Sequence, residues 1–179
     1  MKKLAVLLLV LAVLIPTALA EEAVPAPVEL GQEASDFSVE LLDGTTFTLS
    51  ENRGKVVYVN VWATWCPPCV AEMPAIEQLS VDYADQLVVI GLNSGEDART
   101  VADFVEKNGY TYNFALDESY ELINGMFPTD GIPYSVIIDP NGVVTTLHVG
   151  GGSDMYPVLQ GYVEAALANA AAVPEENAA

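Results

Sequence analysis

The chain is 179 residues long and carries 25 acidic against 6 basic side chains, a formal net charge of −19. So acidic a surface repels phosphate backbones and anionic headgroups, which sets aside nucleic-acid and membrane-surface binding and leaves a soluble, monomeric protein as the expectation. With two cysteines and one histidine, His148, a zinc site would have to borrow carboxylates, so no metal and no cofactor are expected.

In chain order, Lys2 and Lys3 precede an apolar run from Leu4 to Ile15, and Ala18-Leu19-Ala20 supplies a small-x-small cleavage pattern. The run is shorter than the about 20 residues a spanning helix needs. Residues 1–20 are therefore read as a cleaved secretory signal, with retention as an uncleaved N-terminal anchor as the alternative; no cysteine follows to carry a lipid. Cleavage removes two lysines and no acid, which moves the net charge from −19 to −21 and leaves 159 residues, enough for one domain with a sizeable core. The expected location is extracytoplasmic, in the periplasm, at the outer face of the cell membrane or secreted, where a cysteine pair is normally oxidised.

Residues 21–33, opening on the acidic, Pro-spaced EEAVPAPVEL, read as a linker, 34–172 as one domain and 173–179 as a disordered tail. Within the domain, Asp43-Gly44 between two short alternating stretches predicts a hairpin. The run Val56 to Trp62, VVYVNVW, predicts a central buried strand. Pro67 and Pro68 then open a helix with Met73, Ile76, Leu79 and Tyr83 on its apolar stripe, and Pro74 inside it is expected to kink the helix by removing the bond to Val70. LVVIGLN, within Gln86 to Asn93, is a second buried strand. Ser94 to Asp97 cap a helix running to about Asn108, with Gly109 just past its end. A strand at Tyr112 to Leu116 and a short helix at Tyr120 to Met126 follow. Tyr134 to Ile138 and Val143 to Val149 form a hairpin around Pro140-Asn141-Gly142, and Tyr156 to Ala172 is the last helix. Strands alternating with helices and closing on an antiparallel hairpin make an α/β fold with a mixed central sheet flanked by helices.

Both cysteines lie in VNVWATWCPPCVAEMP, as Cys66 and Cys69. As a staple the pair is weak, because a four-residue loop yields roughly 2 kcal/mol. As a reactive pair it is well placed. A residue before proline is pushed out of the helical region, so Cys66 becomes the N-cap, where backbone N–H groups and the helix dipole favour thiolate. Neither proline can donate, which leaves the N–H groups of Cys69 and Val70 for the sulfur. Fewer donors stabilise the reduced form less and push the couple toward being a reductant.

The motif W-A-x-W-C-P-P-C, the proline five residues after Cys69 and Gly131-Ile132-Pro133 before a buried strand resemble the thioredoxin fold. More narrowly, they resemble the TlpA/ResA/CcmG-like group of exported thiol-disulfide oxidoreductases, over roughly Gly31 to Ala168. The resemblance implies a thioredoxin fold with an N-terminal β-hairpin and a central helix-strand insertion between Ser94 and Asp117. It implies Cys66 as the attacking and Cys69 as the resolving cysteine of a redox-active disulfide. Pro133 takes the place of the family's cis-proline; an Ile-Pro bond alone would be trans by default. Trp65, Pro67, Ile132, Pro133 and Tyr134 would form the substrate surface, and Trp62 the core, with plain packing as the alternative for both tryptophans. Tyr134 stands where a smaller residue is common, so it is expected to narrow the groove or stack in it.

Thioredoxin's buried acid, six residues before the first cysteine, is replaced here by Asn60, which cannot take a proton. Glu72 occupies the place after the second cysteine where this group often keeps an acid instead. Two readings stand side by side: a desolvated carboxyl that exchanges a proton with Cys69, or a solvated first-turn glutamate favoured by the helix dipole. The leading function is an extracytoplasmic thiol-disulfide oxidoreductase that reduces disulfides in exported proteins, in cytochrome c maturation or more generally. Its partners would be a disulfide-bearing protein substrate and a membrane thiol-disulfide electron donor. The alternatives are a thiol peroxidase, whose signature Pro and Thr are here Val59 and Ala63, and a non-catalytic redox-sensing or binding module on the same fold.

Overall fold

A computed structural model of the protein describes residues 25–172. The expected signal and its cleavage site, the first residues of the linker and the expected tail lie outside the described residues.

The chain runs β1 (Ser38–Glu40), β2 (Thr46–Thr48), a 3-10 turn (Leu49–Asn52), β3 (Val56–Trp62), α1 (Pro67–Asp82), β4 (Leu87–Ser94) and α2 (Ala98–Asn108). It continues with β5 (Asn113–Asp117), α3 (Glu121–Gly125), β6 (Tyr134–Ile138), β7 (Val144–Val149) and α4 (Tyr156–Ala172). β1 and β2 form a separate antiparallel hairpin, while the other five strands make one sheet in the order β5-β4-β3-β6-β7. β3, β4 and β5 are parallel, and β6 and β7 run antiparallel, so the sheet is mixed. This is the mixed sheet flanked by helices expected from the sequence, with α2 and β5 lying between Ser94 and Asp117 and β5 at the sheet edge.

β3 owes its central place to composition: all seven residues are buried, as expected of a strand covered on both faces. Val57, Val59 and Val61 point to a core shared with Phe37, Phe47, Leu49 and Phe127 from the hairpin side. Tyr58 and Trp62 point the other way, toward Met73, Ile76 and Leu79 of α1, Val101 of α2 and Leu159 and Val163 of α4. The period of two along the strand thus sorts its side chains between two layers.

Helix ends follow the local chemistry. Asp97 caps α2 by accepting from the Thr100 N–H, and Gly109 closes it in the left-handed region at φ 71°. Pro74 is accommodated within one continuous helix. α3 begins at Glu121 rather than Tyr120, because Tyr120 takes φ 60° and turns the chain into the helix.

The described part of the stretch expected to be a linker does not hang free. Val28 is buried and its N–H donates to the Met126 carbonyl, the Gly31 N–H donates to Val144, and Glu33 bridges Val143. An apolar side chain directly after Pro27 finds a slot that the folded domain provides.

Candidate active site

β3 ends at Trp62, and four residues later Cys66 opens α1. Cys66 has φ −97° and ψ 100°, the extended backbone that the following proline imposes, and Pro67 and Pro68 fill the first two helical positions. The Cys69 N–H approaches the Cys66 Sγ at 3.3 Å. Val70 does not serve as the second donor expected from the sequence. Its N–H bonds to the Cys66 carbonyl at 3.0 Å and closes the first helical turn instead. The sulfur therefore has one backbone donor.

Cys66 and Cys69 form a disulfide, with Cα atoms 5.3 Å apart. Cys69 is fully buried and Cys66 nearly so, at 0% and 4% exposed. The Cys66 Sγ lies 3.7 Å from the Ile132 carbonyl, and the Ile132–Pro133 peptide is cis. Around this contact Trp65 is 65% exposed, Pro67 is exposed and Ile132 half-buried, so the surface beside the sulfur is largely apolar. Trp62, by contrast, is fully buried against Phe104 and Phe114.

Tyr134 does not narrow the groove. It is 5% exposed and packs with Val59, Val61 and Val136 in the hairpin-side core, on the face of the sheet away from α1. Residues alternate across a strand, so the step from Pro133 to Tyr134 crosses the sheet.

Glu72, one turn after Cys69, is fully buried rather than solvated. Its Oε1 accepts from Asn60 Nδ2 at 2.9 Å. Asn60 Nδ2 also lies 3.4 Å from the Tyr58 hydroxyl, which shares a hydrogen bond of 2.9 Å with Ser135 Oγ. Burial pushes the Glu72 carboxyl up to about 7, against the smaller opposing effect of the Asn60 amide. Glu72 Oε2 and Asn60 Oδ1 have no hydrogen-bond partner among the described residues. Asn60, which cannot itself ionise, thus holds the acid that stands in the neighbouring layer.

The loop between β3 and Cys66 is tied down by a residue that sequence reasoning missed. Glu96 Oε2 accepts from the Thr64 N–H at 2.7 Å and from Asn93 Nδ2 at 2.9 Å, while Oε1 bonds the Thr64 hydroxyl. No local pattern announces a contact 32 residues away. Tyr58 was legible in principle, since it lies two residues from Asn60 and shares its face of β3. His148 sits at the rim beside Tyr162, with ring centroids 5.8 Å apart. No group of three or more His, Cys, Asp or Glu side chains among the described residues is arranged to hold a metal ion, and none of their helices is long and apolar enough to cross a membrane.

Chemically, the site joins a disulfide at a helix N-terminus to a buried, protonatable carboxyl one turn below. Residues 29–160 match the Redoxin family. The thioredoxin-like protein YneN of Bacillus subtilis is 36% identical over 126 residues, covering 69% of this chain and 73% of the relative. Thiol-disulfide oxidoreductase ResA of Halalkalibacterium halodurans is 36% identical over 124 residues, covering 68% and 69%. The crystal structure of a thiol:disulfide interchange protein of the thioredoxin family from Chlorobium tepidum superposes with a TM-score of 0.67. It is 30% identical and covers 82% of this chain and 99% of its own.

Proposed function

The chain belongs to the Redoxin family, and we propose that within it this protein is the dithiol reductant of disulfides in exported proteins. It is a thiol-disulfide oxidoreductase, like the relatives it matches. The observation that carries the finer reading is the asymmetry of the pair: Cys66 at the edge of the apolar surface, Cys69 sealed beneath it one helical turn before a buried, protonatable acid.

In the reduced state the Cys66 thiolate attacks a substrate disulfide. One substrate sulfur leaves as thiolate and the other stays bound to Cys66. Cys69 passes its proton to Glu72, and its thiolate attacks the Cys66 sulfur. The mixed S–S bond breaks as the Cys66–Cys69 bond forms, and the second substrate thiolate departs. The substrate has gained two electrons and the pair has lost them. A membrane thiol-disulfide donor returns the electrons.

Reduction rather than oxidation is supported by the single backbone donor to the Cys66 sulfur. A weakly stabilised thiolate holds its electrons less firmly. Trp65, Pro67, Ile132 and Pro133 receive the substrate segment. An extracytoplasmic location is supported by the Lys2–Ala20 pattern. Cytochrome c maturation and general disulfide reduction are the two routes in which such a reductant serves.

The test is Cys69→Ser produced in the native host. Arrest after the first step leaves an exported protein disulfide-linked to Cys66, identifiable by mass spectrometry. Full reductase activity on insulin in Cys66→Ala would refute the assignment.

A further inference from the structure

Glu72 Oε2 is buried and lacks a hydrogen-bond partner among the described residues. The exposed residue Gly151 lies directly over it. A Cβ on Gly151 would overlap Oε2 and stand 2.8 Å from the Glu72 Cδ and 2.8 Å from the Pro133 Cγ. The space that any side chain at 151 would occupy is already filled by the carboxyl and the proline ring.

The neighbouring glycines are there for other reasons. Gly150 takes φ 105° and donates its N–H to the Pro133 carbonyl at 2.8 Å. Gly152 has open space where a Cβ would go. Gly151 is outside the left-handed region, so its backbone accepts alanine and only the contact with Glu72 and Pro133 forbids one.

We propose that Gly151 is a positioning residue for Glu72: its missing side chain is the space that lets the carboxyl lie beside Asn60 and one helical turn from Cys69. The inference rests on the reading of Glu72 as the proton acceptor of Cys69. Alanine at 151 leaves two ways to relieve the overlap. Either the carboxyl swings away from Asn60, or the 150–152 segment lifts and admits water onto it. Both alter how Glu72 serves Cys69. The titratable groups in reach are Cys69 on the same helix, Tyr58 from β3 and Tyr112 from the turn before β5. Burial keeps both tyrosines neutral, and Glu72 makes no ion pair among the described residues.

The experiment compares Gly151→Ala with Gly152→Ala in single-turnover oxidation of the reduced protein by a small aromatic disulfide, across a range of pH. The first thiolate released reports attack by Cys66, and the second reports resolution by Cys69. Gly151→Ala is expected to slow the second release about tenfold, a modest part of what a positioned base contributes, and to move its pH profile while sparing the first. Gly152→Ala is expected to match the parent. Glu72→Asp supplies the rescue: its shorter side chain withdraws from beneath residue 151, so Glu72→Asp/Gly151→Ala should fold and resolve like Glu72→Asp alone. A double variant slower than Glu72→Asp by the factor that separates Gly151→Ala from the parent overturns the proposal. So does a Gly151→Ala profile that coincides with that of Gly152→Ala while Glu72→Gln remains slow. If Glu72→Gln itself resolves at the parent rate, the reading of Glu72 is what has failed.

Discussion

Glu72→Gln isolates proton acceptance from shape, because glutamine keeps the length, the burial and an oxygen for the Asn60 amide. With its pKa pushed up to about 7, Glu72 is a ready base in about half the molecules at pH 7. An unassisted thiol with a pKa near about 8.5 is only about 3% ionised at that pH. Removing the base should therefore slow resolution on the order of 10- to 100-fold, reaching up to the lower end of general-base contributions. In stopped-flow oxidation by an aromatic disulfide, the second thiolate release should slow by that factor and the first should not. The parent's second phase should level off above about pH 7, whereas the variant's should keep rising toward about pH 8.5 or beyond. Equal second phases from pH 6 to 9, or a first phase slowed in parallel, would refute the reasoning.

The same carboxyl links stability to pH. Its pKa rises from 4.5 to about 7 on folding, so the folded state holds the proton more tightly, and the stability this provides is present below pH 4.5 and lost as pH rises through about 7. The oxidised protein should lose about 3 kcal/mol from this group between those limits, and Glu72→Gln should not, as read by urea unfolding at both ends. Trp65→Ala removes an exposed ring, so KM for a protein substrate should rise while unfolding stability stays within about 0.5 kcal/mol. Tyr134→Phe should leave the kinetics on protein substrates unchanged, since that ring is in the hairpin-side core; a change in KM would return Tyr134 to the groove. Glu96→Ala strands the Thr64 N–H and should cost about 1–3 kcal/mol, with slower attack by Cys66 in the same stopped-flow assay.

What was legible in the sequence was local. Cys66 before two prolines specifies its own N-cap conformation, Asp97 and Gly109 mark both ends of α2, and VVYVNVW announces a strand buried on both faces. The same double burial explains the misplacement of Tyr134: all five residues of β6 are buried, so no alternation in YSVII tells one face from the other. Val28 sits in a Pro-spaced acidic stretch whose docking partner, Met126, is almost a hundred residues away in the chain, and composition holds no trace of it. Glu72 was legible as a candidate but not as a buried group, because burial depends on Asn60, Pro133 and Gly151 arriving from three other segments. Gly151 acquires meaning only after that carboxyl has been placed.

β3 is paired along all seven residues with β4 and along five with β6. Strands bonded on both sides are among the last parts of a protein to exchange their amide hydrogens, opening only with the whole domain. The reactive pair hangs four residues from the end of that strand, so the chain leading into it is held by the slowest-opening part of the molecule. Proteases gain the strand behind the disulfide only through global unfolding, and the working lifetime of the protein is set by that rare event rather than by the number of redox cycles it has run.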